Sequence, residues 1–188
     1  RLLFVTMFPV IFLFVVFARP GLHGWLGPEI AELGAPVMQI LAVGMLLNAL
    51  AQGPATLIQA AGEPRWMALL HLAELPVFVG LLWLLTVQHG VLGTALASSL
   101  RSGVDAAVIF GLAQRRVAMG TLHWRAAAGP AGVAVLLLLA GVWPTDWAES
   151  VGVALAGLAA FAVYAWAGLL RADERQRLRA LLRPGPRP

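Results

Sequence analysis

A bundle of membrane-spanning helices is the fold class this sequence predicts, and three observations predict it. Hydrophobic residues make up 60% of the 188-residue chain and charged residues only 12%, with a mean hydropathy of +0.84. Soluble domains carry about a quarter of their residues as charged ones. The apolar residues also gather into runs near the roughly 20 residues a helix needs to cross a hydrocarbon core of ~30 Å. Finally, the runs lack the alternation of barrel strands, so helices must satisfy the backbone hydrogen bonds in lipid. The expected class is all-α, a polytopic bundle of about six spans.

The first run, Leu2 to Ala18, ends at the breakers of "ARPGLHGWLGPE". Within that connection "WLGPEIAEL" reads as an interfacial helical turn, with Pro28 in its first turn and Glu29 and Glu32 favouring the positive end of the helix dipole. The second run, Ala35 to Ile58, carries Gln39, Asn48, Gln52 and Gln59, and Pro54 removes a helical donor and favours a kink. "AAGEPRW" then turns the chain into the third run, Trp66 to Val87. A tight "QHG" joins it to the fourth, Val91 to Ala113, so these two should lie antiparallel. "RRVAMGTLHWR" leads to Ala127 to Trp143, and "WPTDWAE" to Val151 to Leu170. The domains expected are 1–115, four spans; 116–170, two more; and 171–188, a basic cytoplasmic tail able to form a short amphipathic helix on an anionic leaflet.

All thirteen basic residues are arginine and the formal charge is +4. Apart from Arg101 they fall in short loops, at the chain start and in the tail, which membrane topology explains without nucleic acid. Arg1, Arg65, the group Arg115, Arg116 and Arg125, and the tail from Arg171 to Arg187 occupy alternate connections. Arg19, Glu29, Glu32, Asp146 and Glu149 lie in the opposite set, with Trp25, Trp143 and Trp147 as interfacial anchors. Positive charge is retained inside, so both ends of the chain are expected to be cytoplasmic. The start, "RLLFVTMF", has neither an initiator methionine nor a signal-peptide pattern, so a longer protein is expected.

Charge within the spans is the chemical signal. An ionised residue costs ~2.5 to 3.5 kcal/mol at a helix centre and therefore faces the bundle interior and a partner. Arg101 and Asp105 form an i, i+4 pair on the fourth run. Folding the chain at His89 sets Glu74 opposite position 104, between them, with His71 one turn away. One cation between two carboxylates leaves a net negative site unless one of them holds a proton, and His71 can titrate near neutral pH. Asn48, Gln52 and the Pro54 region suit a hydrated cavity. The plainer reading is an interhelical clamp among packing residues: Gly93, Ala97, Arg101 and Asp105 recur at four-residue steps, with Ser98 and Ser102 alongside. The candidate site, as pathway or as charge cluster, is Arg101, Asp105, Glu74, His71, Asn48, Gln52 and Arg65.

The chain has no cysteine, which removes disulfides and thiolate metal sites. His23, His71, His89 and His123 stand at different depths, and no acidic diphosphate motif is present. No catalytic residue and no metal ligand set is therefore expected, and an enzyme is disfavoured.

The stretch from Gly24 to Arg101 carries a resemblance. A "WLG" loop at Trp25 to Gly27, the "QAAGEP" turn at Gln59 to Pro64, "ELP" at Glu74 to Pro76, and Gly90, Gly93, Ala95 and Ala97 leading to Arg101 resemble the C-terminal half of polysaccharide-biosynthesis membrane proteins. These are the oligosaccharide flippases of the multidrug/oligosaccharidyl-lipid/polysaccharide exporter superfamily. The likeness covers about the first 115 residues of the chain. It implies a MATE-like transporter of two lobes, with the N-terminal lobe outside this chain. The implied substrate is undecaprenyl-diphosphate-linked oligosaccharide, moved across the bacterial inner membrane for cell-surface polysaccharide. The lipid bilayer is the other expected partner. No cofactor is implied beyond a coupling proton or sodium ion. A multidrug or small-molecule exporter of the same superfamily and a non-transporting membrane subunit are the alternatives.

Overall fold

The computed structural model describes residues 2–116 and 124–169, and these are almost entirely helical. In order they form α1 (Leu2–Leu26), α2 (Pro28–Ala60), α3 (Arg65–Arg116), α4 (Trp124–Val142) and α5 (Trp147–Tyr164), which ends in a π-helical turn, Ala165–Leu169. Four of these segments are long and apolar enough to cross a membrane: Leu3–Leu26, Pro28–Ala60, Arg65–Arg116 and Trp147–Gly168. The apolar stretch Pro130–Val142 is shorter.

α3 is two helices, not one. Gly90 has φ 59° and ψ −136°, a backbone conformation essentially reserved for glycine. There the chain reverses, and the arms 65–89 and 91–116 run back side by side. Thr86 Oγ1 lies 2.9 Å from Thr94 Oγ1 across the bend. A side chain added at Gly93 would collide with the Leu85 carbonyl. The antiparallel pairing expected from "QHG" is thus present, and over the described residues each of the six expected runs is helical, apart from Trp143 at the end of the fifth.

The first connection differs from expectation. Helix α1 continues through Pro20 to Leu26, and α2 begins at Pro28, seven residues before Ala35. The break expected across "ARPGLHGWLGPE" contracts to Gly27, at φ 90° and ψ 170°, while the helical turn expected with Pro28 in its first turn is present as the start of α2. A membrane helix tolerates an interior proline where neighbouring groups satisfy the freed carbonyls, so Pro20 does not end α1. Pro28 sits in the first turn of α2, where its missing N–H costs nothing. Likewise α2 remains helical through Pro36 and Pro54.

Two packed clusters hold the bundle. Phe8, Ile11, Phe12, Val15 and Val16 make one stripe of α1 at helical spacing, packed on Ala134 of α4 and on Ala154 and Phe161 of α5. The Phe8 and Phe161 rings are 4.6 Å apart. Ala51, Ala55 and Ile58 of α2 join Met67 of the first α3 arm and Ala106, Ile109 and Ala113 of the second. Lipid is as apolar as these side chains, so close packing and interhelical hydrogen bonds, rather than transfer from water, favour the contacts. Small residues permit that closeness. A Cβ on Gly44 would stand 2.9 Å from the Ser99 Cα, and Ser99 Oγ donates to the Ile40 carbonyl at 2.7 Å. Gln39 Nε2 donates to the Val15 carbonyl at 3.1 Å, so this amide ties α2 to α1.

Arg1, the connection 117–123 and the tail from 170 onward lie outside the described residues. The expectations for the basic tail and for much of the arginine alternation fall there.

Candidate intramembrane site

Helical rise places the charged residues deep within the hairpin. Glu74 lies nine residues from Arg65, or about 14 Å along the axis at 1.5 Å per residue. The fold-back at Gly90 sets Glu74 beside Arg101 of the opposite arm. Glu74 Oε2 is 3.6 Å from Arg101 Nε and 3.8 Å from His71 Nδ1. These are ion-pair distances and are too long for hydrogen bonds. Both Glu74 oxygens are enclosed without a hydrogen-bond partner.

Arg101 does not pair with Asp105, contrary to the i, i+4 expectation. Its guanidinium lies over the Phe78 ring, 5.1 Å from the centroid, where cation–π attraction adds to the pull of Glu74. Both attractions come from the opposite arm, and they draw the side chain away from its own helix. Asp105 is buried at 7% exposure, and its Oδ1 has no hydrogen-bond partner. A buried carboxylate oxygen without a partner is costly.

A polar cavity of about 240 Å³ opens between α2 and the hairpin. Asn48, Gln52 and Gln59 line it from α2, His71 from the first arm, and Arg101, Ser102 and Asp105 from the second. Met67, Ile109, Ala51 and Ala55 supply its apolar wall. A larger space of about 410 Å³ between α1, α2 and α4 is lined by Val15, Val43, Leu138 and similar residues, with Gln39 as its one amide. Of these two spaces, the smaller one carries the ionisable side chains.

The structure therefore brings together Arg101, Asp105, Glu74, His71, Asn48 and Gln52. Arg65 is not among the cavity's lining residues. It stands at the end of the hairpin away from Gly90, its guanidinium 5.5 Å from the Trp66 ring centroid. Phe78 was missed in the sequence, although it lies one turn beyond Glu74 and the fold-back sets it beside Arg101. Arg116 over Trp66 was missed as well.

Chemically, the cluster offers one cation, two carboxylates and an imidazole around a polar space. One donor atom each from His71, Glu74 and Asp105 lies within 4.8 Å of the others, a spacing on which a proton or a small cation can be shared. The Arg101 guanidinium competes for Glu74. An anion that engages Arg101 would release Glu74, and a cation on the carboxylates would release Arg101.

Over 108 residues, 57% of this chain, the sequence is 32% identical to a Shigella flexneri protein described as a "putative O-antigen transporter". The chain spans about a quarter of that protein, 26% of its length. No protein-family profile matches the chain, and no solved structure matches it. Several apolar helices together with this likeness make the chain a multi-pass membrane protein similar to a polysaccharide transporter.

Proposed function

We propose that this chain is part of a flippase that moves undecaprenyl-diphosphate-linked oligosaccharide from the inner to the outer leaflet of the bacterial inner membrane. The observation that carries the reading is the polar cavity, with Arg101 exposed at 40% of its side-chain surface inside helices otherwise composed for lipid. A glycan and a diphosphate need a hydrated path with a cation in it, and Arg101 supplies both charge and fork geometry. The likeness to the Shigella protein supports the same substrate class.

In this mechanism the diphosphate displaces Glu74 from Arg101. Glu74 and Asp105, with His71 beside them, then take up the coupling proton or sodium ion, which balances the charge buried with the substrate. Release of that ion returns Glu74 to Arg101 and frees the anion. Asn48, Gln52 and Ser102 line the same space and offer hydrogen bonds to sugar hydroxyls. The Gly90 end faces outward in this reading, and the Arg65 and Arg116 end faces the cytoplasm. The other lobe of the transporter covers the open side of the groove.

A second reading has its own support, because the Glu74 to Arg101 contact bridges the two α3 arms and can serve as a clamp alone. Reconstitution separates the possibilities. The full-length protein in liposomes should translocate a fluorescent lipid-linked oligosaccharide and leave organic cations in place. Efflux of cations would support a multidrug exporter, and movement of neither would support a structural subunit.

A further inference from the structure

Away from the cavity, two arginines converge on one aromatic ring. Trp66 opens the first α3 arm and Arg116 closes the second, so the fold-back at Gly90 returns them to the same end of the hairpin. Arg116 Cζ lies 4.3 Å from the Trp66 ring centroid and Arg65 Cζ 5.5 Å from it. The two guanidinium groups are therefore within about 10 Å of each other. Among the described residues neither arginine has a carboxylate within ion-pair distance, and Glu63 in the adjoining turn pairs with neither. Cation–π contact is worth only ~0.5 to 1 kcal/mol at exposed sites and leaves the N–H edges of both guanidiniums unmatched.

We infer that Arg65, Trp66 and Arg116 form a docking site for the diphosphate headgroup of a lipid. Three physical points carry this. The guanidinium fork matches phosphate oxygens bidentately, and two unneutralised forks near one another match two linked phosphates better than one. The ring holds both guanidinium groups close to it before a ligand arrives, which lowers the ordering cost of binding. Depth agrees too, because the apolar runs end just inside Trp66 and Arg116. Tryptophan and arginine at such a boundary stand at headgroup level. The site stands apart from the charged residues of the polar cavity, since Arg116 is eleven residues from Asp105, or about 16 Å of helix, with Ala113 and the cavity's own apolar wall, Met67 and Ile109, packed between. Binding here does not require translocation, so it stands or falls apart from the transport reading.

The test uses the purified full-length protein in phosphatidylcholine nanodiscs, with geranylgeranyl diphosphate as probe and geranylgeranyl monophosphate and inorganic pyrophosphate as comparators. The diphosphate lipid should bind at least tenfold more tightly than either comparator. The double variant Arg65→Gln/Arg116→Gln should lose at least tenfold in affinity for it. Arg115→Gln, an equal charge change at the neighbouring position, should lose less than twofold. Arg116→Lys, which keeps the charge and removes the fork, should lose severalfold, and it serves if the double variant does not fold. A loss in Arg115→Gln as large as that in the double variant, or full binding by Arg116→Lys, would show diffuse surface charge and overturn the site. Pyrophosphate binding as tightly as the lipid would overturn the headgroup assignment.

Discussion

Asp105 is the residue whose environment is hardest to explain by packing. It is buried, its Oδ1 is unpaired, and the arginine one turn away on its own helix reaches across the hairpin to Glu74 instead. A residue kept only for stability would not leave a carboxylate oxygen so placed. Asp105→Ala is therefore expected to leave thermal stability unchanged or to raise it by about 1 kcal/mol, since it removes an unsatisfied buried acceptor, while transport falls at least tenfold. A lowered melting temperature with proportionate loss of protein would assign Asp105 to packing. The sequence made the membership of this cluster legible, because spacing about the bend fixes which residues share a depth. It did not disclose the pairing. That depends on where a long guanidinium side chain turns, and Phe78 with Glu74 on the facing arm decides it.

Among the elements, the hairpin was the most legible and the first connection the least. Gly90 follows two polar residues and separates two apolar runs, so a reversal was readable. Around Pro20 the same breaker logic fails. Proline and glycine within a membrane helix need not end it when the flanking turns remain bonded, and only Gly27, with its positive φ, does so. Close approach of α2 to the second α3 arm was also hidden, because a single glycine in an apolar run carries no sign of what it meets. Gly44→Ala places a methyl 2.6 Å from Ser99 Oγ and 2.9 Å from Ser99 Cα. Backbone cannot move aside as a flexible side chain can, so the substitution is expected to cost about 1 to 3 kcal/mol. Reversible unfolding in mixed micelles measures this, and a change below about 0.5 kcal/mol, the usual range for a surface substitution, would show that the crossing is looser than described.

For the whole molecule, the outer surface of the first α3 arm presents Leu72, Val79 and Trp83, as a helix facing lipid or a second lobe requires. The bundle's orientation rests on arginine placement, and the chain itself allows a clean test. It contains no cysteine, so a cysteine introduced into this segment reports its own position alone. In the full protein, any cysteines elsewhere are first replaced. Gln88→Cys, near the bend, is expected to react with an impermeant thiol reagent added outside intact spheroplasts. Gln114→Cys is expected to react only after the membrane is opened. The reverse pattern would invert the topology and place the Arg65 and Arg116 site outside.

Arg101 joins these scales, because it is the cation of the cavity, the bridge between the arms and the proposed contact for an anionic substrate. The most direct measurement is translocation of lipid-linked oligosaccharide by full-length Arg101→Gln in liposomes, with folded protein quantified in the same samples. A pathway role predicts at least a tenfold loss of translocation with wild-type abundance and a melting temperature within a few degrees of wild type, since a partly exposed ion pair contributes only ~0 to 1 kcal/mol. Wild-type translocation by the variant, or a loss that merely follows a loss of folded protein, would contradict it.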